Sequence, residues 1–321
     1  MSFSKSAILV SIIAALAILS ACSPAAATQA PAQVATLRIA VLPIIDTLPM
    51  YVAEKDGLFA KHNVKVEFVP VASAPERDQL LAAGQADGTI NETLAVMFFN
   101  KESAQLQVVR YALRPSEGHG HFFILASGKS GITSPADLKG VEIGVSQGTV
   151  IEYVTDRLLQ AEGLTSDEIR TVAVPKIPDR MALLSSGELK AGVLPDPQAS
   201  LAVGQGAKVV IDDSKHPEYG FSVISFRKSV IDANPEAIRS FLAAIEEATA
   251  LLNQDATEYY PILSERQLIP KTMIRYMIPP FPTAGVPTPA EWEDALSWAK
   301  QKGMLSADVS YAESVNSSLL P

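Results

Sequence analysis

The chain has 321 residues, 48% hydrophobic and 19% charged, with a formal net charge of −9. The apolar share is ordinary for a folded protein, the length suits two domains of about 150 residues each, and the acidic excess excludes a nucleic-acid binder, which needs basic patches. A single cysteine excludes a disulfide framework, so core burial has to hold the fold.

The chain opens with Lys5 and an apolar run from Ala7 to Leu19, broken only by Ser11, and then reads Leu19-Ser20-Ala21-Cys22. A basic start, a run of this length and small residues before a cleavage point define a secretory signal peptide over residues 1–21. The run is shorter than the ~20 apolar residues that span a bilayer. Residues 22–35 carry no aromatic and no charge, and read as a flexible tether. No later apolar run is long enough to cross a membrane, so the body is expected to be soluble. The position of Cys22 resembles the lipobox of bacterial lipoproteins. That resemblance implies acylation of Cys22 and a lipid anchor on the extracytoplasmic side of the cell membrane.

The body then alternates strands and helices. Leu37–Leu42 is almost continuously apolar, the pattern of a strand buried on both faces. Pro49–Lys55 reads as a helix stopped at Gly57. Val64–Val69 alternates with period two, as a strand does. Ser73 and Glu76 are spaced to cap a helix running to about Ala83. Ala86–Ile90, Gln107–Arg110 and Phe122–Ala126 continue the strands. In a second block, Ser134 and Pro135 open a short helix. Strands at 141–145, 171–174, 191–194 and 209–211 then alternate with helices at 149–161 and 179–186. A long helix follows Asn234-Pro235, and Thr288 with Glu291 caps a last one ending at Gly303. Two successive strand–helix blocks predict an α/β fold, with ligand-contacting loops at the carboxyl ends of strands and a cleft between the blocks.

Five phrases in order resemble the periplasmic binding proteins of the sulfonate, taurine and thiamine-precursor type. They are Pro49–Phe59, Leu80–Asp87, Asp137–Val145, Met181–Val193 and Asn234–Ala237. The resemblance implies an α/β, two-lobed periplasmic-binding-protein type II fold. Lobe one would take residues 36–125 and 226–321, and lobe two 126–225. It also implies a monomer that carries a small solute to an ABC permease, and no cofactor. The ligand would meet Asp46 and Thr47 after the first strand, Asn91 and Glu92 after the third, and the turn Ser146, Gln147, Gly148 and Thr149. Free N–H groups at a helix start suit a polar or anionic atom. Asp196 takes the place of a cleft-facing acid, and Tyr219 and Phe221 precede the second hinge strand, where they could stack on a flat ring.

Asp46, Glu92 and Asp196 place three carboxylates in these loops, which would repel a bare sulfonate and suit a hydrogen-bond-donating heterocycle. Arg114 and Arg180 are the nearest cations but lie outside the matched loops. On this reasoning the ligand is a neutral or cationic heterocycle; the family resemblance then implies a flavin or related cargo, with riboflavin first, a thiamine-precursor pyrimidine second and a sulfonate or taurine third, and the acidic loops suit either vitamin. His119 and His121 share a face of an extended segment, but a metal site needs a third ligand and none is near; they read as polar residues of a loop. A thiamine-pyrimidine synthase on this fold would be expected to carry a cysteine-rich segment, so a non-catalytic carrier is expected.

Overall fold

In a computed structural model, residues 34–271, 273 and 276–321 are described. The leader, Cys22 and residues 22–33 of the tether lie outside them. The strands are β1 (Thr36–Val41), β2 (Lys65–Pro70), β3 (Gly88–Asn91), β4 (Leu106–Leu113), β5 (Phe122–Ala126), β6 (Glu142–Val145), β7 (Arg170–Ala173), β8 (Ala191–Pro195), β9 (Lys208–Asp212) and β10 (Ser222–Arg227). The helices that matter below are α1 (Leu48–Lys55), α2 (Ala74–Ala82), α3 (Thr93–Asn100), α4 (Val150–Ala161), α5 (Ile177–Ser186), α6 (Pro235–Gln254) and α7 (Pro289–Gln301).

The strands build two five-stranded sheets, ordered β2-β1-β3-β10-β4 and β7-β6-β8-β5-β9. In each sheet four strands run the same way and one, β10 in the first and β5 in the second, runs antiparallel to both its neighbours, and the same pattern repeats in both. This confirms the expected α/β, two-lobed architecture. β1 pairs with β2 on one side and β3 on the other, which is why it reads as a nearly unbroken apolar run.

β5 belongs to the second sheet and β10 to the first, so the chain crosses between sheets at 114–121 and 213–221. Lobe boundaries at 125/126 and 225/226 would cut through β5 and β10, and a strand hydrogen-bonded along its length cannot be shared in that way. Gly88 starts β3 beside β10. A Cβ there would lie 2.5 Å from the Phe226 ring, so only glycine lets the two strands meet.

Capping explains most helix starts. Ser73 accepts from the Glu76 N–H, Thr149 from Ile151 and Thr288 from Glu291. α3, an apolar segment without such a cap, is absent from the sequence reading. α6 buries an amphipathic stripe, Ile238, Phe241, Ile245, Ala248 and Leu252, against the first sheet. Phe241 stacks on Phe59 at 5.6 Å and meets Phe226 edge-on. Each such side chain contributes about 1.5–3 kcal/mol on burial.

A second core, which includes Leu94, Tyr111, Ile124, Val154 and Trp292, continues from one sheet to the other. Beside it, α7 grips α4. Asp294 accepts from the Tyr153 hydroxyl at 2.7 Å and from Arg157 at 2.8 Å, and Trp298 Nε1 donates to Asp156 at 2.8 Å. Residues 35–321 accordingly form one compact unit.

Candidate functional site

The loops after β1, β2, β3, β6, β7 and β8 converge on one cleft between the sheets, at the carboxyl ends of parallel strands. Leu42, Ile44, Ile90, Phe122, Val150 and Ile177 make much of its wall apolar.

The acids in and around this cleft are compensated. His121 ends the first crossing, is 2% exposed, and sits with Nε2 3.2 Å from Asp46 Oδ2. Its Nδ1 lies 2.6 Å from the Gly220 carbonyl, which can only accept, so Nδ1 carries a proton. Burial opposes the imidazolium, but the Asp46 carboxylate outweighs it and raises the pKa to about 9. Burial also resists the Asp46 charge; His121 and the Ser222 hydroxyl, which donates at 2.5 Å, overcome that and hold Asp46 below the usual range. Asp213, on the second crossing, accepts from the backbone N–H groups of His121 and Phe122. Its burial pushes its pKa up to about 7.

Glu92 is clasped by the buried Arg77 guanidinium at 3.0 and 3.3 Å, and burial lifts its pKa. Asp196 accepts from the Ser200 N–H and hydroxyl, and burial raises it too. The expectation that three free carboxylates would repel an anion is therefore corrected. Two carry their own buried cations, and the third is spent on the start of a short helix. On the lobe-one wall, Asn91 Oδ1 accepts from Ser225, while its buried Nδ2 has no acceptor among the described residues.

The lobe-two wall is the turn from β6 into α4. Ser146 Oγ donates to the Pro175 carbonyl at 3.0 Å and accepts from Arg180. Gly148 N–H donates to Glu152, whose carboxylate also meets Lys302 at 3.0 Å.

Of the residues expected to bind ligand, Asp46, Asn91, Glu92, Ser146 and Thr149 line the cleft together. Thr47 does not; it is buried with its hydroxyl on the Ile44 carbonyl. Gln147 and Gly148 form the turn without lining the cleft, and Asp196 yields its place to Pro195. Tyr219 stacks on His216 and meets Tyr153 edge-on, and Phe221 meets Tyr111 edge-on, so neither aromatic is offered to a ring in the cleft. Arg114 is committed to Glu291 at 2.7 Å.

His121, Arg77, Phe122 and Ser222 line the cleft and are missing from the ligand-binding residues expected from the sequence. The rule that places ligand loops at strand carboxyl ends applies equally to the loop after β2, and would have brought in Ser73 and Arg77. Nothing local marks His121 as buried rather than as a polar loop residue.

Such a cleft between two sheets of this topology defines the class: a two-lobed binding-protein fold. The chain belongs to the NMT1/THI5-like family, whose model matches residues 44–258. Among sequence relatives, an Escherichia coli K12 protein named for aliphatic sulfonate binding is 24% identical over 71% of each chain. A Haemophilus influenzae protein named for thiamine biosynthesis is 25% identical over 66% of this chain and 67% of its own. Among solved structures, the alkanesulfonate-binding protein SsuA of Xanthomonas axonopodis pv. citri, bound to MOPS, is 19% identical with a TM-score of 0.74, covering 88% of this chain and 98% of that one. The nitrate-binding protein NrtA of Synechocystis is 17% identical with a TM-score of 0.69, covering 89% and 87%.

Proposed function

We propose that this chain is the extracytoplasmic solute-binding component of an ABC importer, anchored through Cys22, that closes its two lobes on a small organic solute. The solute pairs a short apolar body with an oxygen-rich acceptor group, in the manner of an alkanesulfonate rather than a flavin. The observation that carries this reading is Asn91 Nδ2, a buried donor without an acceptor among the described residues, in a cleft whose acids are already paired. A ligand oxygen would satisfy it, and an unmade buried bond costs about 1–3 kcal/mol.

Riboflavin, the first expectation, loses its support because the stacking pair is turned away: Tyr219 packs on His216 and Phe221 on Tyr111. Carriage rather than catalysis is favoured by the order of the polar groups. Ser222 donates to Asp46, and His121 binds the other oxygen of the same carboxylate. The hydroxyl therefore has no imidazole beside it to take its proton, unlike an activated nucleophile.

Isothermal titration of the purified protein with ethane- to octanesulfonate, and in parallel with riboflavin, tests the proposal. Saturable sulfonate binding without flavin quenching is expected. Flavin binding without sulfonate binding would restore the flavin reading, and turnover of the ligand would make the protein an enzyme.

A further inference from the structure

Arg180 has no counter-charge among the described residues. It sits in the first half of α5, is 0% exposed, and spends Nη1 on the Val174 carbonyl at 2.7 Å and on Ser146 Oγ at 3.0 Å. Its Nε and Nη2 have no partner among the described residues. Every other fully buried arginine in the described chain, Arg77 and Arg110, faces a carboxylate within 3.0 Å. Burial alone lowers the Arg180 pKa, to about 10, so the group stays charged at neutral pH. An unpaired ion in the interior costs several kcal/mol.

The same turn receives the start of α4, a 12-residue helix. Ile151 N–H is taken by Thr149 Oγ1 and Gly148 N–H by Glu152, while those of Thr149 and Val150 have no acceptor among the described residues. Positive potential from a buried guanidinium and from a helix N-terminus thus converges on Ser146–Thr149, where both Ser146 and Thr149 line the cleft. Glu152, whose Oε2 takes the Gly148 N–H, offsets part of it; Lys302, shared between Glu152 and Asp156, balances that carboxylate in part.

We infer that Arg180 is the specificity-determining residue for ligand charge: its guanidinium, behind Ser146, supplies the positive charge that makes the turn with the free Thr149 and Val150 N–H groups a subsite for one oxyanion, and the bound solute supplies its missing counter-charge. This rests on the proposed solute-binding role and adds which lobe holds the anion and which residue selects it. Arg180 acts as a positioning residue, since Ser146 stands between it and the cleft. A pure packing role would be indifferent to ligand charge.

The test compares butanesulfonate with its neutral sulfonamide, by titration calorimetry on wild type, Arg180→Met and Arg180→Lys. Wild type is expected to prefer the sulfonate. Arg180→Met should lose on the order of 10-fold for the sulfonate, the effect of a buried charge acting across Ser146 rather than by a direct bond, with the sulfonamide unchanged. Arg180→Lys should restore part of the preference. Without ligand, Arg180→Met should melt no lower than wild type, because it deletes an uncompensated charge. An unchanged sulfonate-to-sulfonamide ratio in Arg180→Met overturns the inference while solute binding stands. So does wild-type preference for the sulfonamide. Failure of wild type to bind any small solute removes the proposed function and this inference with it.

Discussion

His121 Nε2 and Asp46 Oδ2 stand 3.2 Å apart, both buried, and join the first interlobe crossing to the loop that follows β1. The pair anchors the hinge to the cleft wall, and its titration sets a pH dependence. His121 moves from 6.5 to about 9 in the folded state. A raised pKa means stabilisation present in full below pH 6.5 and lost as pH climbs through about 9. The expected loss is about 3 kcal/mol at this site. Melting temperature followed from pH 6 to 10 should fall on the alkaline side, and His121→Gln should flatten that fall. The variant should also start lower by about 3–5 kcal/mol, since Asp46 loses its buried partner.

Gly220 is the point where the second crossing passes the first. A Cβ there would come within 1.6 Å of Asp213 Oδ2, and that carboxylate holds the backbone N–H groups of His121 and Phe122. Gly220→Ala must therefore displace Asp213 or the crossing. We expect a loss of more than 3 kcal/mol, measured by denaturant unfolding. A stability within 1 kcal/mol of wild type would show that the two crossings are not interlocked there.

Asn91 and Asp196 were expected to share one role, and they separate cleanly. Asn91→Ala should weaken ligand binding by about 1–1.5 kcal/mol, the value of one amide hydrogen bond. Asp196→Ala should leave affinity within twofold and cost about 1 kcal/mol of stability through the lost Ser200 contacts. Calorimetric titration and thermal melting on the same two variants read both effects; the reverse pattern would move the ligand toward Pro195.

Cys22→Ser should shift the protein from the membrane to the soluble fraction after cell lysis and abolish labelling by radioactive palmitate. Membrane retention in the variant would contradict the proposed anchor. Each acyl methylene in the bilayer contributes about 0.8 kcal/mol, so the effect should be large.

α1, α2, α4 and α7 were legible because caps, prolines and apolar spacing lie within a few residues of one another. The loops carrying Asp46, Asn91 and Ser146 were legible through the family resemblance, which puts the ligand against these strand ends. α3 was not, since eight mostly apolar residues without a cap carry no periodic signal. The sheet membership of β5 and β10 was also hidden, because antiparallel partners are chosen across distances no local pattern records. β10 pairs Val223 with Asn91 and Tyr111.

Capping, alternation and apolar run length, all short-range rules, made a two-block α/β body readable from the chain, and the family resemblance pointed to the turns that reach the cleft. Only the tertiary structure decided the charge of that cleft. Asp46 meets His121 across 75 positions and Glu92 meets Arg77 across 15, whereas Arg180 finds Ser146 but no acid. Whether a carboxylate repels an anion depends on what is buried against it, because a low-dielectric interior makes the nearest opposite charge decisive.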